Sequence, residues 1–75
     1  GIYRNHLRRH WEILRRQPEL KAAFAATLTD PEHGAVVDML MAYQLERMGL
    51  VRLVGNAAVV SSELYYKYFK MLLSA

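Results

Sequence analysis

Residues 38–75 confine this chain more than any other stretch does. They read DMLMAYQLERMG, LVRLVGNAAVV and SSELYYKYFKMLLSA, which is a helix, a tight hairpin and a second helix. Val37, Met41, Leu45 and Met48 recur at four, four and three residues, the spacing of one helical face. The helix is predicted to end at Met48. Gly49 follows as the left-handed cap residue, a conformation in which only glycine avoids a side-chain clash. Leu50 then falls where a capped helix sets an apolar residue against its last turn, here Leu45. Gly55-Asn56 separates Val51-Arg52-Leu53-Val54 from Ala57-Ala58-Val59-Val60, a two-residue turn that tolerates positive φ. Pairing across that turn sets Val51, Leu53, Ala58 and Val60 on one face. Arg52, Val54, Ala57 and Val59 fall on the other. The first face must be buried, and the helices are the only cover available. The last helix starts after Ser61 or Ser62, either of which can cap it. Its apolar stripe is Leu64, Tyr65, Tyr68, Phe69 and Leu72, with Tyr66 as the aromatic expected in solvent. Its wet edge is Glu63, Lys67, Lys70 and Ser74, with Glu63 and Lys67 spaced for an ion pair.

Upstream, Tyr3, Leu7, Trp11 and Leu14 place an amphipathic helix over residues 3–16, flanked by Arg4, Arg8 and Arg15 on one side and Asn5, Arg9, Glu12 and Arg16 on the other. Glu12 and Arg16 have the spacing of a helical ion pair. Gln17-Pro18 breaks this helix, because the residue before proline avoids the helical region, and Pro18 suits the first turn of a new one. That helix runs to about Leu28 with Leu20, Phe24 and Leu28 inward. Residues 29–34 are a turn by composition. Ala35-Val36-Val37 is either a short third strand beside the hairpin or the lead-in to the next helix. The order is helix, helix, short strand, helix, hairpin, helix: a mostly α chain with a small antiparallel hairpin, in a winged-helix-like arrangement that packs the hairpin on the helices. Trp11, Leu45, Leu53 and Phe69 are expected to share one core.

Seventy-five residues make one small domain, which buries only about 60–65% of the surface its unfolded chain exposes. The 53% hydrophobic content is too high for a disordered chain. The absence of cysteine removes disulfides and thiolate metal sites, and fits a reducing, cytoplasmic location. No apolar run reaches the length of a membrane span, so no membrane partner is expected. The opening Gly-Ile-Tyr-Arg, without an initiator methionine, suggests a piece of a longer protein.

Three stretches together look familiar: His6-Leu7-Arg8-Arg9-His10-Trp11, the run from Ala42 to Asn56 (AYQLERMGLVRLVGN), and Glu63-Leu64-Tyr65-Tyr66-Lys67-Tyr68-Phe69. They resemble the C-terminal region of the AAA-like ATPase domain of cyanobacterial and other bacterial multidomain proteins. The resemblance covers most of the chain, and its motifs are structural ones: a capped helix, a hairpin turn, an aromatic helix. It implies a winged-helix-like module that follows a nucleotide-binding core, in proteins that carry signalling or defence-associated domains elsewhere. No G-x-x-x-x-G-K-[ST] loop occurs here. Any ATPase activity would therefore lie in sequence not present, and neither a cofactor nor a small-molecule substrate is expected.

Nothing in the chain is arranged for catalysis. His6 and His10 have metal-ligand spacing, but the two arginines between them repel a divalent cation, and a plain histidine pair is the preferred reading. His33 has no evident partner. Thr27, Thr29, Ser61, Ser62 and Ser74 sit at helix ends, where hydroxyls satisfy free backbone groups, and Asp38 is placed to cap a helix. Met39, Met41, Met48 and Met71 read as adaptable core packing.

Charge singles out the N-terminal third. Residues 1–28 carry six basic and two acidic groups, residues 29–60 two basic and four acidic, and residues 61–75 a net +1. Arg4, Arg8, Arg9, Arg15, Arg16 and Lys21 form either a basic surface for phosphates or an acidic protein face, or a solvated helix flank partly neutralised by Glu12 and Glu19. The excess of arginine over lysine favours recognition, since the planar guanidinium binds oxyanions bidentately. The alternative is a winged-helix DNA-binding domain that reads through Gln44, Arg47 and Arg52. DNA readers of that kind present a polar, basic recognition helix and a basic wing. Here the helix offers Asp38, Gln44, Glu46 and Arg47, and the wing only Arg52. A protein partner, or an adjacent domain of the parent chain, is therefore preferred over nucleic acid.

Overall fold

The computed structural model places residues 2–74 and describes side chains from residue 5 onward. Four helices and one hairpin follow in the order α1 (Ile2–Arg16), α2 (Pro18–Thr27), α3 (Met39–Arg47), β1 (Val51–Val54), β2 (Ala57–Val60) and α4 (Glu63–Ser74). The architecture is mostly α with a small antiparallel sheet. Tyr3 and Arg4 have side chains outside the described residues.

Local chemistry sets most boundaries. Pro18 occupies the first turn of α2, directly after the break at Gln17. The Asp38 carboxylate accepts from the N–H groups of Leu40 (2.9 Å) and Met41 (3.3 Å), satisfying two free donors of α3. At its other end, the Gly49 N–H donates to the Glu46 carbonyl (2.9 Å) and the Leu50 N–H to the Leu45 carbonyl (3.0 Å). These two bonds form a Schellman closure, and they require Gly49 at φ 80°. Leu45 and Leu50 are both fully buried beside that closure. Ser62 caps α4, its hydroxyl accepting from the Tyr65 N–H at 3.1 Å. Ser61 instead donates its hydroxyl to the Gly49 carbonyl at 2.6 Å, tying the start of α4 to the end of α3.

The hairpin pairs Val51 with Val60, Arg52 with Val59, Leu53 with Ala58 and Val54 with Ala57, the register expected from its turn. Gly55 alone takes positive φ (62°) while Asn56 does not, the pattern of a type II′ turn. Val51, Ala58 and Val60 are buried, and Leu53 is half-buried against the same core. Val59 departs from the expected alternation: it lies on the outer face yet is buried. The cause is the segment before α3. Ala35 exchanges two backbone hydrogen bonds with Ala58 (3.0 and 2.8 Å), so the free edge of β2 is closed by a one-residue bridge. Ala35-Val36-Val37 therefore forms a single bridge and not a strand. Gly34 lies so close to β2 that a Cβ there would run into the Ala58 carbonyl and the Val59 side chain.

The core is centred on α2, which packs against α1, α3 and β2. Leu14, Leu20, Phe24, Leu45, Leu50 and Phe69 are fully buried. Phe69 carries the aromatic contacts of α4, edge-on to Phe24 (5.3 Å) and Tyr68 (5.0 Å) and tilted against Trp11 (6.5 Å). Trp11 is only half-buried, and Lys21 lies over its ring with Nζ 5.4 Å from the centroid. The stripe of α4 is also rotated from the expected one. Leu64 is exposed, whereas Tyr66 is half-buried, with its hydroxyl accepting from Lys70 Nζ at 2.6 Å. Met41 and Met48 pack on the core, but Met39 and Met71 are exposed.

His10 belongs to the seam between α1 and α4. Its ring meets Tyr65 edge-on at 6.3 Å, and its Nδ1 is buried with no hydrogen-bond partner among the described residues. Burial, followed by the positive charge of His6 and Arg9, pushes its pKa below the ordinary 6.5.

Four outcomes follow from this packing. Gly49→Ala is expected to cost about 1 kcal/mol in urea denaturation, since the strain is backbone strain alone. No atom stands within 4 Å of a Cβ there. Gly34→Ala is expected to cost more in the same measurement, because collision with β2 adds to the strain. Leu45→Ala should lose roughly 2–5 kcal/mol, and a melt matching wild type would contradict the packing. For His10, the unfolded chain takes up the proton more readily than the folded one. Stability should therefore fall as pH drops through the unfolded pKa of about 6.5 towards the lower folded value. Thermal melts across that window should show His10→Phe less acid-sensitive than wild type.

Candidate interaction surface

The basic residues of α1 fall where the helical period puts them. Leu7 and Leu14 turn inward, and Arg8, Arg9, Arg15 and Arg16 are all exposed on the opposite side. Glu12 interrupts the face and pairs with Arg15 at 3.4 Å, three residues on, and not with Arg16 as the four-residue spacing suggests. Among the described residues Arg8, Arg9 and Arg16 stand in no ion pair. Lys21 is separate from this face, half-buried over Trp11, so its charge is spent on an aromatic ring. The structure thus assembles four of the six predicted basic residues on one helix side and removes Lys21 from the group. Arg4 lies outside the described side chains.

The alternative set is dispersed. Gln44 is half-buried and donates from Nε2 to Oε1 of Gln17, between α1 and α2, at 3.4 Å. Arg47 is exposed on α3. Arg52 is exposed on the outer face of β1, beside Val54. Arg52 borders an open groove of about 400 Å³ that also includes Ser62 and Glu63, where a carboxylate opposes the binding of phosphate.

The outward side of α3 was missed by reasoning from periodicity. Leu45 and Ala42 face the core, but Met39, Leu40 and Tyr43 face solvent, with exposures of 64%, 72% and 49%. Leu40, Tyr43, Gln44, Arg47 and Met48 line an open groove of about 650 Å³. Tyr43 also borders a smaller one of about 150 Å³ that reaches Val36 and the hairpin tip. Exposed Val36 and Val54 extend the apolar character towards the hairpin tip. Isolated exposed apolar residues are ordinary, but a contiguous set around a groove marks a contact surface. The signal was present in the sequence: α3 is apolar on more than the one stripe that a surface helix needs.

Among the described residues no group of three or more histidine, cysteine or carboxylate side chains could hold a metal ion. His6 is exposed while His10 turns into the α1–α4 seam, so the pair does not present two nitrogens to one point. His33 has a partner that spacing did not suggest: its Nδ1 lies 3.1 Å from the Asp30 carboxylate. Hydrogen bonds from the His33 N–H and ring hold the Asp30 pKa below the usual carboxylate range, and the pair closes the turn before Gly34. Among the described residues, no helix is long and apolar enough to cross a membrane.

No curated protein and no solved structure shows a significant match to the chain. A family model described as the AAA-like domain matches residues 1–71, and with nearly the whole length covered, this chain belongs to the AAA-like domain family.

Proposed function

We propose that this chain is a non-catalytic protein-interaction and regulatory module, the C-terminal winged-helix-like part of an AAA-like ATPase in a bacterial signalling or defence-type multidomain protein. The observation that carries this reading is the outward face of α3. A helix offered to the major groove needs polar and basic side chains that reach base edges and phosphates. The solvent face of α3 offers Met39, Leu40 and Tyr43, with Arg47 as its only cation. Such a face gains more by burial against protein than by contact with a phosphate backbone. Membership in the AAA-like family is compatible with a place in an ATPase. The bridge of Ala35 to β2 and the exposed hairpin tip suit a wing-like hairpin packed on helices. The basic side of α1 suits an acidic protein surface, either the ATPase core or a neighbouring domain of the parent chain.

Titration of labelled duplexes of several sequences at two salt concentrations tests this. Any binding should be weak, indifferent to sequence and steeply salt-dependent, since phosphate contacts release counterions without reading bases. Replacing Arg8, Arg9, Arg15 and Arg16 by glutamine should abolish it, and replacing Gln44, Arg47 and Arg52 should change little. Sequence-selective binding that depends on Gln44, Arg47 or Arg52 would make the chain a DNA reader instead.

A further inference from the structure

The outward side of α1 carries its charges in a fixed pattern. Arg8 and Arg15 stand seven residues apart, as do Arg9 and Arg16, and all four are exposed. Seven residues are nearly two turns and about 10.5 Å of rise, so each pair forms a row along the helix. Successive residues turn by about 100°, which sets the two rows on either side of one line. Glu12 falls on that line, with exposed Asn5 seven residues before it, and buried Leu7 and Leu14 hold the opposite side. The charges at 8, 9, 12, 15 and 16 are therefore symmetric about Glu12: two positive, one negative, two positive. Arg8, Arg9 and Arg16 stand in no ion pair among the described residues. Glu12 and Arg15 pair at 3.4 Å, but both are open to solvent, and exposed pairs hold weakly. None of the large exposed apolar side chains among the described residues belongs to α1. Charge, and not apolar burial, selects what meets this face.

We propose that this face binds an acidic helix of a protein partner, laid lengthwise along α1. Charged rows on either side of a central line are what paired helices present to each other beside their seam. Carboxylates at i, i+1, i+7 and i+8 of the partner would repeat on the same rise as the arginines, whose guanidinium groups bind them bidentately. A base at i+4 would meet Glu12. The pattern reads the same from either end, so it fits a partner running in either direction. Glu12 also separates this occupant from a nucleic acid. Phosphates recur along a strand with no break that would spare its carboxylate, whereas a helix can place a lysine there. A second copy is not the occupant, since the seven Asp and Glu residues of the chain nowhere stand side by side. This assignment rests on the reading of the chain as an interaction module and adds the charge pattern that its partner carries.

The probe is a synthetic alanine-based helical peptide with glutamate at i, i+1, i+7 and i+8 and lysine at i+4. It is set against a reordered peptide of the same composition, with its four glutamates consecutive, and against a peptide with lysine at all five positions. Binding to the 75-residue chain is followed by amide chemical shifts and by anisotropy of the labelled peptide, at low and high salt. The patterned peptide should bind best, moving the amides of residues 8–16, and its affinity should fall as salt rises. The variant R8Q/R9Q/R15Q/R16Q should lose about tenfold or more while circular dichroism is unchanged. The variant R8E/R9E/R15E/R16E should reject the patterned peptide and take the lysine one. Equal affinity for the patterned and reordered peptides would overturn the proposal, as would no binding at low salt or tighter binding of a DNA duplex than of the patterned peptide. Shifts confined to α3 would also overturn it, while leaving an interaction module with its surface there. Sequence-selective duplex binding that depends on Gln44, Arg47 or Arg52 would remove both readings together.

Discussion

The burial of Phe69 is the contact on which the rest of the structure depends. Ion pairing attaches the last helix weakly, since Glu63 and Lys67 are exposed, and its half-buried Tyr65, Tyr68 and Leu72 pack on the same core as Phe69. Exposed pairs of that kind contribute little to stability. Phe69 reaches the centre of the domain and meets Phe24 from α2 and Trp11 from α1, with Tyr65 and Tyr68 closing around it. Edge-to-face aromatic pairs add about 0.5–1.5 kcal/mol each beyond the area they bury. In a domain this small, with a total stability on the order of 5–10 kcal/mol, such contacts decide whether the chain folds.

A second constraint holds the hairpin in place against this core. The Schellman closure at Gly49 turns the chain sharply out of α3, and the Ser61 hydroxyl then fastens the start of α4 to the same carbonyl-rich corner. Both ends of the hairpin are thereby anchored at one point. The bridge from Ala35 closes the opposite edge of β2, which would otherwise offer unpaired backbone groups to another chain. Of the large exposed apolar residues, Val36, Met39, Leu40, Tyr43 and Val54 gather on α3, its lead-in and the hairpin, with Leu64 and Met71 apart on α4.

The functional reading grows from that asymmetry. Residues of the basic helix are aligned by the period of α1 alone, and under the proposed reading their charge would act at range on an acidic surface. Under the same reading the outward face of α3 would act at contact, where burial of exposed Leu40 and Tyr43 would supply the affinity that solvated charge does not.

Much of this fold was legible in the residues, and for local reasons. Pro18, Asp38, Gly49, Gly55 and Ser62 act on backbone within a few positions of themselves, so element ends and hairpin register follow from sequence. The basic face of α1 is legible for the same reason, since helical period alone aligns it. What sequence could not supply depends on which distant surfaces meet. Val59 is buried because a loop more than twenty residues upstream crosses it, and Gly34 is indispensable only because β2 arrives beside it. Lys21 counts as surface charge until Trp11 is found beneath it. Leu64 and Tyr66 exchange places because the rotation of α4 is set by the seat of Phe69 and not by its own stripe. The groove on α3 is likewise a tertiary product. The sequence shows apolar residues beyond the inward stripe of α3, but only the packed helices show that they stay uncovered around a groove, with Arg47 as its one charged lining residue.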